Sequence, residues 1–215
     1  MVDNHHSFRY QGVMASLKSF LYDIADFWGV SPASLYERQR ELVRGELLQA
    51  VPGRGPGSGV PLTAENFAVF LIGLLATDGL TDLIEHTRAL CAASPLLIDK
   101  RGHGRRSTRT FARDLARAIE ISATAAFQPG DDLHKNSYMG VQVTRHWRGV
   151  ILQHRVVAHS KKDAAEGVHG LEYIVSEDAR LQSKTITHSA SMESEPFWFA
   201  CSSLQKALAA KGDKK

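Results

Sequence analysis

The 215-residue sequence predicts an α+β fold, and changes in hydrophobic periodicity carry that prediction. Through most of residues 16–127, apolar side chains recur every three or four positions, which is typical of amphipathic helices. Between Tyr138 and Ala158 they alternate with polar residues, which is typical of strands that bury one face. Helical spacing returns over residues 195–210. We therefore expect a largely helical N-terminal part and a short antiparallel sheet in the C-terminal part.

The composition is that of a globular protein, with 43% hydrophobic and 23% charged residues. The longest apolar run, Phe67 to Ala76, is half of the roughly 20 residues that a membrane helix needs. The first ten residues, MVDNHHSFRY, contain no apolar segment of the kind found in secretory signals. Cys91 and Cys201 are too few for a disulfide framework. These features predict a reduced, cytoplasmic chain without a membrane anchor.

The first two helices follow a polar segment. Residues 1–13 lack helical periodicity and are expected to be a flexible leader, and Met14 leaves open where the natural chain starts. The first predicted helix begins near Ser16 and ends at Gly29, since glycine is the usual residue just after a helix. The pair Ser31-Pro32 supplies an N-cap and a favoured first residue for a second helix, which runs to about Gly45.

A glycine-rich segment, Pro52–Gly59, separates two short extended segments, Leu47–Val51 and Val60–Leu62. This order predicts a hairpin with a loop that cannot hold regular structure. Two further helices are predicted at Ala64–Ala76, with Thr63 as N-cap, and at about Leu80–Ala92. Together these elements make up a predicted N-terminal domain of residues 14–98.

A basic segment, residues 99–108, is the predicted linker between two domains. The second domain, residues 109–215, is expected to be a small α+β unit. Its predicted elements are a helix over Arg109–Phe127, a β-hairpin over Tyr138–Ala158 with Arg148-Gly149 at its centre, strands at Leu171–Val175 and Lys184–His188, and a closing helix over Glu195–Ala210.

The spacing around the first turn meets three physical requirements for two helices that cross closely. Ala25 is small where the helices meet, and Gly29, four positions later, tolerates a positive φ. Leu35, six positions after the glycine, can pack back on the first helix, and Val30 fills the turn. Here the sequence resembles the helix-turn-helix of bacterial and phage transcription regulators, most of all the winged type.

The resemblance covers residues 16–62 and implies an N-terminal winged helix-turn-helix with appended helices. Its wing would be the loop Arg54–Gly59, where glycines permit a close approach to DNA. Two features depart from the family. Gln39 stands where the family usually packs an apolar side chain, and no helix is predicted before the helix pair. The apolar helix Ala64–Ala76, or a second subunit, could cover that face instead.

The resemblance implies that the second helix enters the major groove of double-stranded DNA. There Arg40 would pair with guanine and Glu37 with cytosine, while other arginines would mainly contact phosphates. The basic linker is either a phosphate-binding arm or a solvated surface, and the sequence leaves both open. The candidate DNA contacts are Ser31, Ser34, Tyr36, Glu37, Arg38, Arg40, Arg44 and Arg54, with Arg105, Arg106 and Arg109 from the linker.

Charge is divided unevenly along the chain. Residues 1–98 carry 7 Lys and Arg against 10 Asp and Glu, a net charge of −3, and residues 99–215 carry 19 against 13, a net charge of +6. A positive half is a mild indication of a polyanionic partner. The negative N-terminal half argues against strong nonspecific binding of DNA by that half alone.

The functions expected from these observations are non-enzymatic. No nucleophile motif, phosphate-binding loop or metal-ligand spacing is present, so neither a catalytic set nor a metal or cofactor is predicted. The leading expectation is sequence-specific DNA binding in transcriptional regulation, with a homodimer favoured. Two alternatives stay open: a phage DNA-packaging protein similar to a terminase small subunit, and a protein-interaction or toxin-like protein in which the winged module is a scaffold.

Overall fold

The fold combines α-helices with one antiparallel sheet. The computed structural model describes residues 16–53, 58–95, 109–124, 137–144, 148–155, 169–174, 189–192 and 194–209. In these residues the helices are α1 (Leu17–Trp28), α2 (Pro32–Arg44), α3 (Ala64–Ala76), α4 (Leu83–Ala92), α5 (Phe111–Thr124) and α6 (Ser194–Ala209). The strands are β1 (Ser94–Pro95), β2 (Ser137–Thr144), β3 (Arg148–Arg155), β4 (His169–Ile174) and β5 (Ser189–Met192).

The predicted helices are present, with two changes at their N-termini. α4 starts at Leu83, three residues later than Leu80, and the residue before it, Asp82, has a φ of 59°. α5 starts at Phe111, so Arg109 precedes the helix that it was predicted to begin. At the start of α5 the backbone N–H of Phe111 donates to the carbonyl of Ala93 at 2.9 Å, a distant contact that the local sequence does not reveal.

Helix α3 lies at the centre of the core. Nine of its thirteen residues are buried, which is expected of a helix that is apolar on all sides. Thr63 caps it by accepting a hydrogen bond from the backbone N–H of Asn66 at 3.1 Å. On the α1 side, the ring of Phe67 meets Phe20 edge-on at a centroid distance of 5.2 Å and lies nearly parallel to Trp28 at 6.2 Å.

Close packing between α3 and its neighbours depends on Gly73. A Cβ atom built at this position would lie 3.2 Å from the Leu42 side chain of α2 and 3.2 Å from Oγ1 of Thr87 in α4. Thr87 is fully buried, and its hydroxyl donates to the carbonyl of Leu83 at 2.6 Å. Three helices therefore meet where α3 has no side chain.

The sheet has the strand order β1-β4-β3-β2-β5, and every neighbouring pair is antiparallel. The predicted hairpin forms, but Arg148 and Gly149 belong to β3, where they pair with Thr144 and Val143. They were expected at the centre of the hairpin, and that placement is wrong because both residues pair with β2. The strand predicted at Lys184–His188 lies outside the described residues.

One hydrophobic cluster includes described side chains from both sides of the predicted linker. Val141 and Val143 of β2 are fully buried in it together with α3, and Phe27 of α1 stacks on Phe199 of α6 at 4.0 Å. β1, from the N-terminal part, pairs with β4 at the sheet edge. A shared core thus spans the position where the sequence predicts a domain boundary, and the leader and residues 99–108 lie outside the described part of the chain.

We expect Gly73→Val to lower the free energy of unfolding by about 1–3 kcal/mol, because added methyl groups overpack the contact with Leu42 and Thr87. The matched control is Gly79→Val, since the position of Gly79 is exposed and a Cβ atom there meets only one atom, at 3.9 Å. Urea unfolding of the two variants measures the difference. Equal stabilities would show that α2 and α4 do not approach α3 at Gly73.

Candidate nucleic-acid interface

The first two helices meet in the turn that the sequence predicts. After α1 comes Gly29, whose φ of 63° lies in the left-handed region, and the backbone N–H of Val30 donates to the carbonyl of Ala25 at 3.1 Å. Ser31 then caps α2, because its Oγ accepts a hydrogen bond from the backbone N–H of Ser34 at 3.1 Å. The predicted roles of Gly29 and Ser31 in ending one helix and starting the next are confirmed.

Helix α2 buries one face and exposes the other. Leu35 and Leu42 on its inner face are fully buried, and α2 packs against α1, α3 and α4. Six of the predicted DNA contacts are on or next to the outer face. Ser34, Glu37, Arg40 and Arg44 are exposed on it, and Tyr36 is half-buried beside them. Ser31 is exposed just before the helix.

The two outer arginines of α2 are paired with carboxylates one turn earlier. Nη1 of Arg40 lies 3.0 Å from Glu37, and Nη1 of Arg44 lies 2.6 Å from Glu41. The hydrogen bond and the charge of Glu37 raise the pKa of Arg40, because both favour the charged guanidinium. Each arginine is matched by one carboxylate, and the outer face therefore carries donors and acceptors with little net charge.

Arg38 is not an exposed phosphate contact. Its side chain is 6% exposed, Nη1 donates to Oγ1 of Thr77 at 3.5 Å, and Nη2 donates to the backbone carbonyl of Asp78. The position lies on the inner face of α2 between Leu35 and Leu42, where a long side chain can bury its stem and still reach polar groups. Arg38 therefore joins α2 to the turn after α3, which corrects its assignment to DNA.

Arg109 also has a partner within the chain. Its Nε donates to both carboxylate oxygens of Asp114 at 2.9 Å, and Asp114 is buried. A buried carboxylate needs a cation or a donor, and Arg109 supplies it. The Arg109 side chain is itself 52% exposed, so its contact with DNA stays a prediction. Arg54, Arg105 and Arg106 lie outside the described residues.

A short hairpin, held by a single β-bridge, lies beside α2. Val51 and Gly59 face each other in one antiparallel bridge, in which each backbone N–H donates to the other's carbonyl at 2.9 Å. A second antiparallel bridge joins Ser16, the N-cap of α1, to Pro61. The chain thus runs from an extended residue through two helices into a hairpin that is bridged back to the starting point.

The strand predicted over Leu47–Val51 is reduced to its last residue. The backbone N–H groups of Leu47 and Leu48 both donate to the carbonyl of Leu42, at 2.9 and 3.2 Å. These bonds close the C-terminal end of α2, where carbonyl groups lack helical partners. Only Val51 is left to form a β-bridge.

An open cleft of about 600 Å³ lies between α2 and the hairpin. Lys18 of α1 lines it, with Nζ 4.1 Å from the centre of the Tyr36 ring, a cation–π distance. Gln39 also lines it and is 5% exposed, and its Oε1 has no hydrogen-bond partner. Sequence reasoning did not select Lys18, because no local pattern connects a lysine of α1 to a tyrosine of α2.

The described residues offer little for nucleophilic or metal chemistry. Burial raises the pKa of the Cys91 thiol to about 12 and raises the pKa of Cys201 as well, so both thiols are protonated at neutral pH. No group of three or more His, Cys, Asp or Glu side chains comes together within this part of the chain to hold a metal ion. The distinctive polar surface of the described residues is the face of α2 with its adjoining cleft.

The chain matches no protein-family model, no curated protein and no solved structure. Across the described ranges, no helix has both the length and the apolar character needed to cross a bilayer.

We expect Arg38→Ala to lower the free energy of unfolding by about 1.5–3 kcal/mol, because it removes hydrogen bonds from a charged donor to Thr77 and Asp78. The control is Arg44→Ala, which removes an exposed arginine and should change stability by less than about 0.5 kcal/mol. Urea denaturation measures the free energy of unfolding of each variant and of the unaltered protein. A stable Arg38→Ala variant would mean that Arg38 is not a structural link between α2 and the turn after α3.

Proposed function

We propose that this chain binds double-stranded DNA through α2 and the adjoining hairpin, as a winged helix-turn-helix. The order of elements carries the proposal: an extended residue, α1, a turn at Gly29, α2, and a hairpin bridged back to Ser16. This is the order that places a second helix in the major groove and a loop against the backbone. Helices α3 and α4 support α2 from behind and leave its outer face open.

The outer face of α2 has the chemistry to read base edges. A guanidinium matches the two major-groove acceptors of guanine, and a carboxylate can accept from the amino group of cytosine. In the free protein Arg40 and Glu37 satisfy each other. On DNA, each would exchange its partner for a base edge, and the exchange is favourable only where the bases offer matching groups. Pairing of this kind favours sequence-specific binding over general attraction to phosphates.

We further propose that the DNA-binding unit acts in transcriptional regulation as a homodimer. A single helix makes few base contacts, and two copies on a two-fold symmetric site multiply their affinities. A terminase-like DNA-packaging protein would use the same module in a larger ring. Mass measurement in solution distinguishes a dimer from a ring. The proposed setting is the cytoplasm of a bacterium or of a phage-infected cell.

A protein-interaction role is the second candidate, and two observations favour it. The paired charges leave the outer face of α2 without net attraction for a polyanion. Tyr22 and Val51 are large apolar side chains that are nearly half exposed, as is common at protein interfaces. Failure of DNA to retain the protein at low salt would favour this role, because electrostatic binding is strongest there.

Selection of bound fragments from a genomic DNA library, followed by sequencing, tests the proposed function. Enrichment of one palindrome is the expected result, since a homodimer reads two equal half-sites. Recovery of fragments without any shared sequence would contradict sequence-specific recognition.

We expect Arg40→Ala to weaken binding to the selected sequence about 5- to 150-fold, as for the loss of one base contact. Its helical content should stay unchanged, because Arg40 is exposed. Arg117→Ala, which removes an exposed arginine of α5, is the charge-matched control and should bind like the unaltered protein. Affinity titrations with selected and random duplexes provide the comparison. Full affinity in a folded Arg40→Ala protein would remove Arg40 from the interface.

A further inference from the structure

We infer that the cleft between α2 and the hairpin is a phosphate site, in which Lys18 contacts one phosphodiester of a DNA strand and Gln39 supports it through a bound water. The inference rests on the proposed function and adds two residues that the sequence did not assign to DNA. The cleft would bind the phosphodiester backbone of the DNA, whereas the outer face of α2 would contact the bases.

The charges around the cleft single out Lys18. Arg40 and Arg44 also line it, but each has a carboxylate partner at 3.0 Å or less. Within the described residues, Lys18 contacts aromatic rings and no carboxylate: its Nζ lies 4.1 Å from the ring centre of Tyr36 and 5.9 Å from that of Tyr22. A ring holds an ammonium group in place without using its N–H donors. Lys18 is therefore the cation at this cleft that can bind a phosphate without first breaking an ion pair.

The wall of the cleft contains a buried polar group that has no hydrogen-bond partner within the described residues. Gln39 occupies an inner position of α2, is 5% exposed, and leaves Oε1 without a partner. Burying an unsatisfied amide oxygen is destabilising, and an apolar side chain of similar size would avoid that cost. Oε1 has almost no accessible surface in the free protein, so the amide has to rotate toward the cleft before ordered water at a phosphate can donate to it. Gln39 therefore lowers the stability of the free protein at a position where water around a bound phosphate can supply the missing hydrogen bond.

The shape of the cleft favours a DNA strand as the source of the phosphate. One wall is α2, the proposed major-groove helix, and the other contains the hairpin residues Gly53 and Gly59. Glycines leave the backbone accessible, and a strand that passes between a groove-bound helix and a wing presents phosphates to both. A nucleotide or inorganic phosphate has the same chemistry, and the test distinguishes these sources.

The first experiment measures DNA affinity against salt concentration for Lys18→Gln, on both selected and random duplexes. Loss of one phosphate contact should reduce the magnitude of the salt slope by about 1 on both DNAs. Lys206→Gln removes an exposed lysine of α6 that does not line the cleft, and it should keep the full slope. Equal slopes for Lys18→Gln and the unaltered protein, with DNA binding intact, would overturn this inference and leave the proposed function standing. Failure of the unaltered protein to bind either DNA would overturn both.

The second experiment uses Gln39→Leu, which separates stability from binding. We expect a higher melting temperature, because the unsatisfied amide is gone, together with weaker binding to both duplexes. Unchanged affinity would overturn the role of Gln39 in the site. A lower melting temperature would show that the fold needs the amide, and would overturn the argument that Gln39 is placed there for a ligand.

A third measurement decides the source of the phosphate. Backbone amide resonances of Gly53 and Gly59 are followed during titration with the duplex and, separately, with inorganic phosphate at equal ionic strength. Shifts with the duplex alone support a DNA strand in the cleft. Shifts with inorganic phosphate alone would overturn the proposal of a strand and indicate a small-anion site.

Discussion

The burial of α3 is the constraint on which the other described elements depend. A helix that is apolar on every side cannot lie on the surface, so other elements have to cover it. α1 covers it through the aromatic contacts of Phe67, α2 and α4 approach it at Gly73, and α5 and β2 pack along it. Segments far apart in the chain are thus held in one core, which includes residues before and after the predicted linker.

This packing also decides which surface of α2 is available. Because Leu35 and Leu42 face the core, the helix turns Glu37, Arg40 and Arg44 outward. The contact of Arg38 with the turn after α3 fixes the same rotation from the inner side. Arg38 on the inner face and Arg40 and Arg44 on the outer face therefore have different surroundings on a single helix. Under the proposed function, a substitution of Arg38 should change stability, and a substitution of Arg40 should change binding.

Sequence reasoning was accurate where the physical cause is local. Gly29 forms a turn, and Ser31 and Thr63 cap helices, through backbone groups within a few residues of each. The neighbouring sequence is therefore enough to predict the turn and the two caps. Apolar periodicity likewise predicts the buried face of α1, whereas in α2 it predicts Leu35 and Leu42 but not Arg38 and Gln39, which are buried beside them. Each of these features depends on a short stretch of chain that has one strongly preferred conformation.

The sequence did not reveal partners that are distant along the chain or that depend on where a helix starts. The partners of Arg38 lie 39 and 40 residues away, and β1 pairs with a strand beyond the predicted linker. Because α5 starts at Phe111, Arg109 precedes the helix, and it pairs there with Asp114 of the first turn. Lys18 and Tyr36 lie on different helices, and no spacing rule predicts that they come into contact. Gln39 was noticed as a departure from the family, but only its burial shows what the departure costs.

The most direct test of the account is to map the DNA contacts on the isotope-labelled protein by NMR. A duplex that contains the selected sequence should shift the backbone amides of Ser34 and Arg40 on α2 and of Gly59 in the hairpin. The amide resonances of α5 and α6 should not shift, because neither helix lines the cleft or carries a proposed contact with the duplex. Shifts confined to α5 and α6, or no shifts at all, would contradict the claim that α2 and the hairpin form a DNA-binding surface.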